Sequence, residues 1–150
     1  MIKKNIVLLL CLFCSLSCFA QQEAKKKYAV VFIGNSITQG VLIDNPEKNA
    51  PPVQAIRYLS LQPEIELCDY SNQGVSGMTT VDFLPAQQTL FPKVAEAAKG
   101  FHNNEKSVLI FSIMLGTNDS AIKGPNGSPV SAVHYFTNMQ VIIDELLTLY

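Results

Sequence analysis

The chain has 150 residues, 48% of them hydrophobic and 15% charged, with a formal net charge of -1. That balance fits one globular domain with a usable core and excludes a disordered or fibrous chain. It also excludes a broad basic surface for nucleic acid.

Residues 1–20 begin with a basic pair, Lys3 and Lys4, followed by an apolar run from Ile6 to Leu16. Small residues then lead to Ala20, ahead of the polar Gln21 and Gln22. This is the layout of a secretory signal peptide, too short to span a bilayer comfortably. Export is expected, to a periplasm or the medium, with cleavage after Ala20 and no stable membrane insertion afterwards. A buried N-terminal helix and a lipid-bearing Cys18 are the other readings of this stretch. Cleavage removes Cys11, Cys14 and Cys18 and leaves Cys68, so neither an internal disulfide nor a cysteine metal site is expected. Losing Lys3 and Lys4 leaves nine basic residues against 12 acidic ones, a net of -3. The run Lys25-Lys26-Lys27 reads as a solvated lead-in, too small to argue for membrane or nucleic acid.

From 21 to 150 the chain reads as one domain or part of one. Tyr28–Ile33 is a continuous apolar, β-branched run, the pattern of a strand buried on both faces. It stops at Gly34-Asn35-Ser36. Val53–Leu61, after Pro51-Pro52, has helical spacing. Ile65–Tyr70 alternates more and reads as a second, less buried strand. Phe91–Lys99 is a helix with Val94, Ala95 and Ala98 on one face. Ser107–Leu115 is a third, buried strand ending at Gly116-Thr117-Asn118-Asp119. Gly124–Pro129 is a loop with turn chemistry throughout. Pro129–Tyr150 carries the clearest helical stripe: Val133, Phe136, Met139, Ile142, Ile143, Leu146 and Leu147. Strands alternating with helices imply a parallel α/β sheet with helices on both faces. Three strands leave such a sheet small. A crossover unit takes about 30 residues, so the pattern reads as a C-terminal truncation, against a small domain complete as it stands.

Open parallel sheets bind ligands at the carboxyl ends of their strands, and polar turns follow all three. In Gly34-Asn35-Ser36-Ile37-Thr38-Gln39-Gly40, a serine directly after a buried strand is held on a tight turn. A helix starting there aims free backbone N–H groups at an oxyanion formed on that serine. The same serine is also a good helix N-cap. The glycine spacing matches neither dinucleotide nor P-loop patterns. Ser71-Asn72-Gln73-Gly74-Val75-Ser76-Gly77 reads by itself as a loop without an assigned role. In Gly116-Thr117-Asn118-Asp119, Asn118 has a side-chain amide to offer a developing negative charge. Asp119 reads as holding the loop, and the pair is equally a turn or cap.

Taken together, the three turns resemble the blocks of the SGNH hydrolases, also called the GDSL esterase/lipase family. Gly34-Asn35-Ser36-Ile37-Thr38 is similar to the first block, with Asn35 where the name-giving pattern has Asp. Gly74 falls at the glycine of the second, and Gly116-Thr117-Asn118-Asp119 resembles the third. The resemblance implies a flavodoxin-like, three-layer α/β/α sandwich and ester hydrolysis without metal or organic cofactor. It implies Ser36 as nucleophile, with the backbone N–H groups of Ser36 and Gly74 and the Asn118 amide as oxyanion donors.

The family's last block, an Asp-x-x-His supplying the base and its orienting acid, has no counterpart here. His102 reads as part of a polar loop at the wrong end of the sheet, and His134 as a surface residue early in the last helix. Negligible esterase activity is therefore expected of this polypeptide, and activity of a longer one. Within the family the closest look is to carbohydrate O-acetylesterases of the sialate O-acetylesterase kind, acting on a small-molecule or glycan ester. A non-catalytic glycan-binding domain on the same fold is the alternative from another class, and a flavin- or phosphate-binding flavodoxin-like protein the third.

Overall fold

The computed structural model describes residues 24–103, 107–124 and 128–150. The expected leader with Cys11, Cys14 and Cys18 lies outside the described residues, as do parts of the loops around 104–106 and 125–127. The elements are β1 (Lys26–Gly34), α1 (Ser36–Gln39), α2 (Pro46–Asn49), α3 (Pro51–Leu59), β2 (Ile65–Gly74), α4 (Phe91–His102), β3 (Val108–Met114) and α5 (Ala132–Leu149). Two single-turn 3-10 segments, Val81–Phe83 and Pro85–Gln87, sit between β2 and α4.

The three strands form one parallel sheet in the order β2-β1-β3. This is the expected α/β architecture, with β1 central and helices on both faces. The central strand is buried on both sides because its residues alternate between two cores. Val31 and Ile33 face one core, with Phe83, Phe91, Val94 and Ala98, and with Ile142 and Leu146 of α5. Val30 faces the other, with Ile56 of α3, Ile65 and Cys68. Each large side chain fully buried in this way contributes about 1.5–3 kcal/mol.

Several boundaries differ from the sequence reading, each for a physical reason. β2 continues four residues past Tyr70, because Ser71–Gly74 pairs with Val31–Gly34 of β1. What reads as the start of a polar loop is therefore strand. β1 starts earlier, so Lys26 and Lys27 lie in the sheet, and Lys27 Nζ meets Glu66 Oε1 at 3.0 Å across to β2. α4 runs on to His102, which is helical and not in the loop. α5 starts at Ala132 because Ser131 caps it, its hydroxyl accepting from the His134 N–H. The stripe on α5 is only partly buried. Ile142 and Leu146 are enclosed, while Val133, Phe136 and Leu147 are 73%, 68% and 74% exposed.

Candidate active site

The carboxyl ends of the three strands fall in one row. Gly34 is in register with Gly74 on one side and Met114 on the other. The three polar turns thus leave the sheet from the same edge.

The first turn is held from within. Asn35, not Ser36, is the N-cap of α1: its Oδ1 accepts from the Ile37 N–H at 3.1 Å, and the residue is 1% exposed. This corrects the capping alternative for Ser36, whose place is the first helical position. The cap leaves the Ser36 hydroxyl free of that duty. Ser36 is half-buried, and its backbone N–H has no hydrogen-bond partner among the described residues. Two glycines let α1 lie this close to the strands. A Cβ at Gly34 would sit 2.0 Å from Thr38 Oγ1, and one at Gly74 would sit 2.4 Å from the Gln39 nitrogen.

The second turn is stitched to the first. Asn72 Nδ2 donates to Thr38 O at 2.9 Å, while Asn72 Oδ1 accepts from the Gly74 N–H at 2.9 Å. The Ser76 N–H donates to Gln39 Oε1 at 2.7 Å, and the Val75 N–H to Gly34 O at 3.0 Å. Gly74 therefore abuts the helix that starts at Ser36, but its N–H is engaged by Asn72.

The third turn is stitched to the second across the end of β1. Asn118 Nδ2 donates to Met78 O at 2.9 Å. An amide nitrogen carries two N–H donors, so one stays available. The Thr80 N–H donates to Asp119 Oδ1 at 2.9 Å, and the Thr80 hydroxyl donates to the same oxygen. Asn138 Nδ2 of α5 donates to Thr80 Oγ1 at 3.0 Å. Thr80 and Asp119 are 0% and 2% exposed, and Asp119 Oδ2 is buried without a partner among the described residues. Asp119 therefore ties loops together. A cavity of about 360 Å³ opens beside this network, walled by Gly116, Asp119, Val130 and Tyr135.

Sequence reasoning singled out Ser36, Gly74 and Asn118, and all three lie at this edge. It missed Asn72, Thr80 and Asn138. An Asn two residues before a glycine is a weak turn signal; for Thr80 and Asn138 nothing local marks the role. Of the two histidines, His102 closes α4 and packs its ring 5.3 Å from Tyr150. His134 is exposed on the first turn of α5. Neither side chain has a hydrogen bond to Ser36.

No family model matches the chain, and no curated protein matches it in sequence. Among solved structures, it is similar to the crystal structure of AlinE4, an SGNH-hydrolase family esterase. The TM-score is 0.44 at 19% identity, covering 84% of this chain and 56% of that one. The chain thus spans little more than half the length of that structure.

Proposed function

We propose that this chain is the nucleophile-bearing portion of an exported serine ester hydrolase of the SGNH kind. The observation that carries the reading is the row Gly74–Gly34–Met114, which gathers the three motif-bearing turns at one edge around a half-buried serine with an unengaged N–H. In this reading the Ser36 hydroxyl adds to the ester carbonyl carbon and its proton passes to a base. The alcohol leaves with that proton, and water then releases the acyl group as a carboxylic acid. The negative charge on the carbonyl oxygen is met by the Ser36 N–H and the second N–H of Asn118. Gly74 contributes by sharing its N–H between Asn72 Oδ1 and that oxygen.

The base and its acid come, in this proposal, from an Asp-x-x-His outside these 150 residues, so the chain by itself turns over negligibly. The substrate proposed is a small polar acyl ester, such as an O-acetyl group on a carbohydrate. Export follows from the layout of residues 1–20, with lipid anchoring at Cys18 the minor variant. The absence of a histidine bonded to Ser36 favours, as second reading, a glycan-binding domain that uses the same cleft without chemistry.

The test is p-nitrophenyl acetate turnover together with labelling by a serine-directed fluorophosphonate. It is run on the 150-residue chain and on a version extended through the reading frame after Tyr150. The extended protein is expected to turn over and to label at Ser36, losing both in Ser36→Ala, while the short chain does neither. Turnover by the short chain that disappears in His134→Ala would sink the proposal of an outside base. An extended protein that carries the Asp-x-x-His block yet neither labels nor hydrolyses would favour the binding domain.

A further inference from the structure

We infer that Asn138 of α5 is a positioning residue: its amide holds shut the loop clamp that fixes the Asn118 side chain at the strand-end edge. The use of Asn118 as an oxyanion donor rests on the hydrolase reading; the positioning itself does not.

α5 carries Asn138, Ile142 and Leu146 at a spacing of four. Residues four apart share one face of a helix. Ile142 and Leu146 are each 1% exposed and pack in the core with Val31 and Ile33. Asn138 is thus a polar, half-buried side chain on a core-facing row, where an amide needs a partner. It finds one 58 residues away in sequence: Nδ2 donates to Thr80 Oγ1 at 3.0 Å. Tyr135, three residues before it, donates from its hydroxyl to Leu115 O at 3.3 Å. The C-terminal half of α5 is fixed in the core, and its N-terminal half touches the loops after β2 and β3.

The bond to Asn138 decides what Thr80 does. A threonine hydroxyl has one hydrogen to give and lone pairs that accept. Asn138 fills the accepting side, and the hydrogen goes to Asp119 Oδ1, which also takes the Thr80 N–H at 2.9 Å. The bonds run one way, from amide to hydroxyl to carboxylate, so each polarises the next. They end one residue from Asn118. Asn118 Nδ2 in turn donates to Met78 O, two residues before Thr80. The two loops are therefore tied twice, 118 to 78 and 80 to 119, in one closed ring of bonds and backbone. While the ring is closed, the Asn118 amide has its acceptor in place. Without Asn138 the Thr80 hydroxyl is free to turn, and the ring loosens on its buried side.

The experiment compares two near-isosteric variants. Asn138→Leu removes the donor and continues the apolar row. Asn138→Asp puts an acceptor there and makes two carboxylates compete for one hydroxyl. Ile142→Val, on the same row, is the control for packing alone. The Asn118 side-chain amide is followed by heteronuclear NMR in the 150-residue chain, its signals assigned by their absence in Asn118→Ala. Its hydrogen exchange is expected to quicken at least about tenfold in both Asn138 variants and not in Ile142→Val. In the extended protein, kcat for p-nitrophenyl acetate is expected to fall at least about tenfold in both, with KM within about twofold of its starting value. Ile142→Val should show no such split. Unchanged exchange of the Asn118 amide in both Asn138 variants would overturn the inference, whether or not the extended protein hydrolyses esters. So would a kcat loss no larger than that of Ile142→Val. An unmutated extended protein without turnover would count against the hydrolase reading, and the exchange result would still decide the positioning.

Discussion

Gly74 lies against the backbone of the helix that begins at Ser36, so closely that a Cβ there would stand 2.8 Å from the carbonyl carbon of Thr38. The two nearest atoms, the Gln39 nitrogen and the Thr38 carbonyl carbon, are backbone and cannot rotate aside. The distance between β2 and α1 is therefore set by the absence of a side chain at this position.

Gly74→Ala should destabilise by about 1–3 kcal/mol, the usual cost of forcing an extra methyl into a packed site. Gly100 is the internal control. It lies in α4 with nothing within 4 Å of its missing Cβ. Gly100→Ala should stabilise by roughly 0.5–1 kcal/mol, through helix propensity alone. Urea unfolding of the two variants checks both signs, and a tolerated Gly74→Ala would contradict the close approach.

Asp119 is expected to matter for structure through one oxygen. Asp119→Ala leaves the Thr80 N–H and hydroxyl without their acceptor in a site closed to water. Each orphaned donor costs about 1–3 kcal/mol. Asp119→Asn keeps an oxygen at the Oδ1 position and changes the group at Oδ2, which has no partner to lose among the described residues. Thermal unfolding should show Asn losing less than half of what Ala loses. Equal losses would mean that the charge, and not the acceptor, holds the turn.

Asn118 separates folding from chemistry. Asn118→Ala removes the bond to Met78 O, a loss of about 1 kcal/mol in stability. In an extended, active form the same change should lower kcat by about 10²–10³, or roughly 2.7–4 kcal/mol in the transition state. Steady-state kinetics beside a melting curve reads both, and a kcat loss no larger than the stability loss would remove Asn118 from the oxyanion site.

Alkaline pH should weaken the fold. Burial, with the charge of Asp69 adding to it, pushes the Cys68 thiol up, and burial pushes the Tyr150 phenol up. Both groups ionise more readily in the unfolded chain. Their contribution is therefore complete below the ordinary thiol and phenol ranges and is lost as pH rises toward the raised folded values. The urea midpoint should fall between about pH 8 and about pH 10.5, and Cys68→Ala should flatten the first part of that fall. Cys68 should also react slowly with thiol reagents until the protein is unfolded.

The strands β1 and β3 were legible from their unbroken apolar runs, but the expected burial holds for β1 alone: β3 lies at the edge of the sheet, and its Val108, Ile110 and Met114 are exposed. The second strand was legible only to Tyr70. Its last four residues are polar, and pairing with Val31–Gly34 made them strand. The stripe on α5 was legible as a period, but a period says which side chains share a face and not whether anything covers it. Phe136 and Leu147 follow the stripe and stay exposed.

The sequence by itself determined the alternation of strand, turn and helix, and it put polar residues, Ser36 and Asn118 among them, just past the strand ends. Those are local choices of side-chain period and turn chemistry. Only the tertiary structure decided which donors remain free. Asn72 reaches Thr38, Asn118 reaches Met78 and Asn138 reaches Thr80 across 34, 40 and 58 residues of chain. Such partners meet only once the sheet has set its register, so the engaged N–H of Gly74 and the open one of Ser36 are properties of the fold.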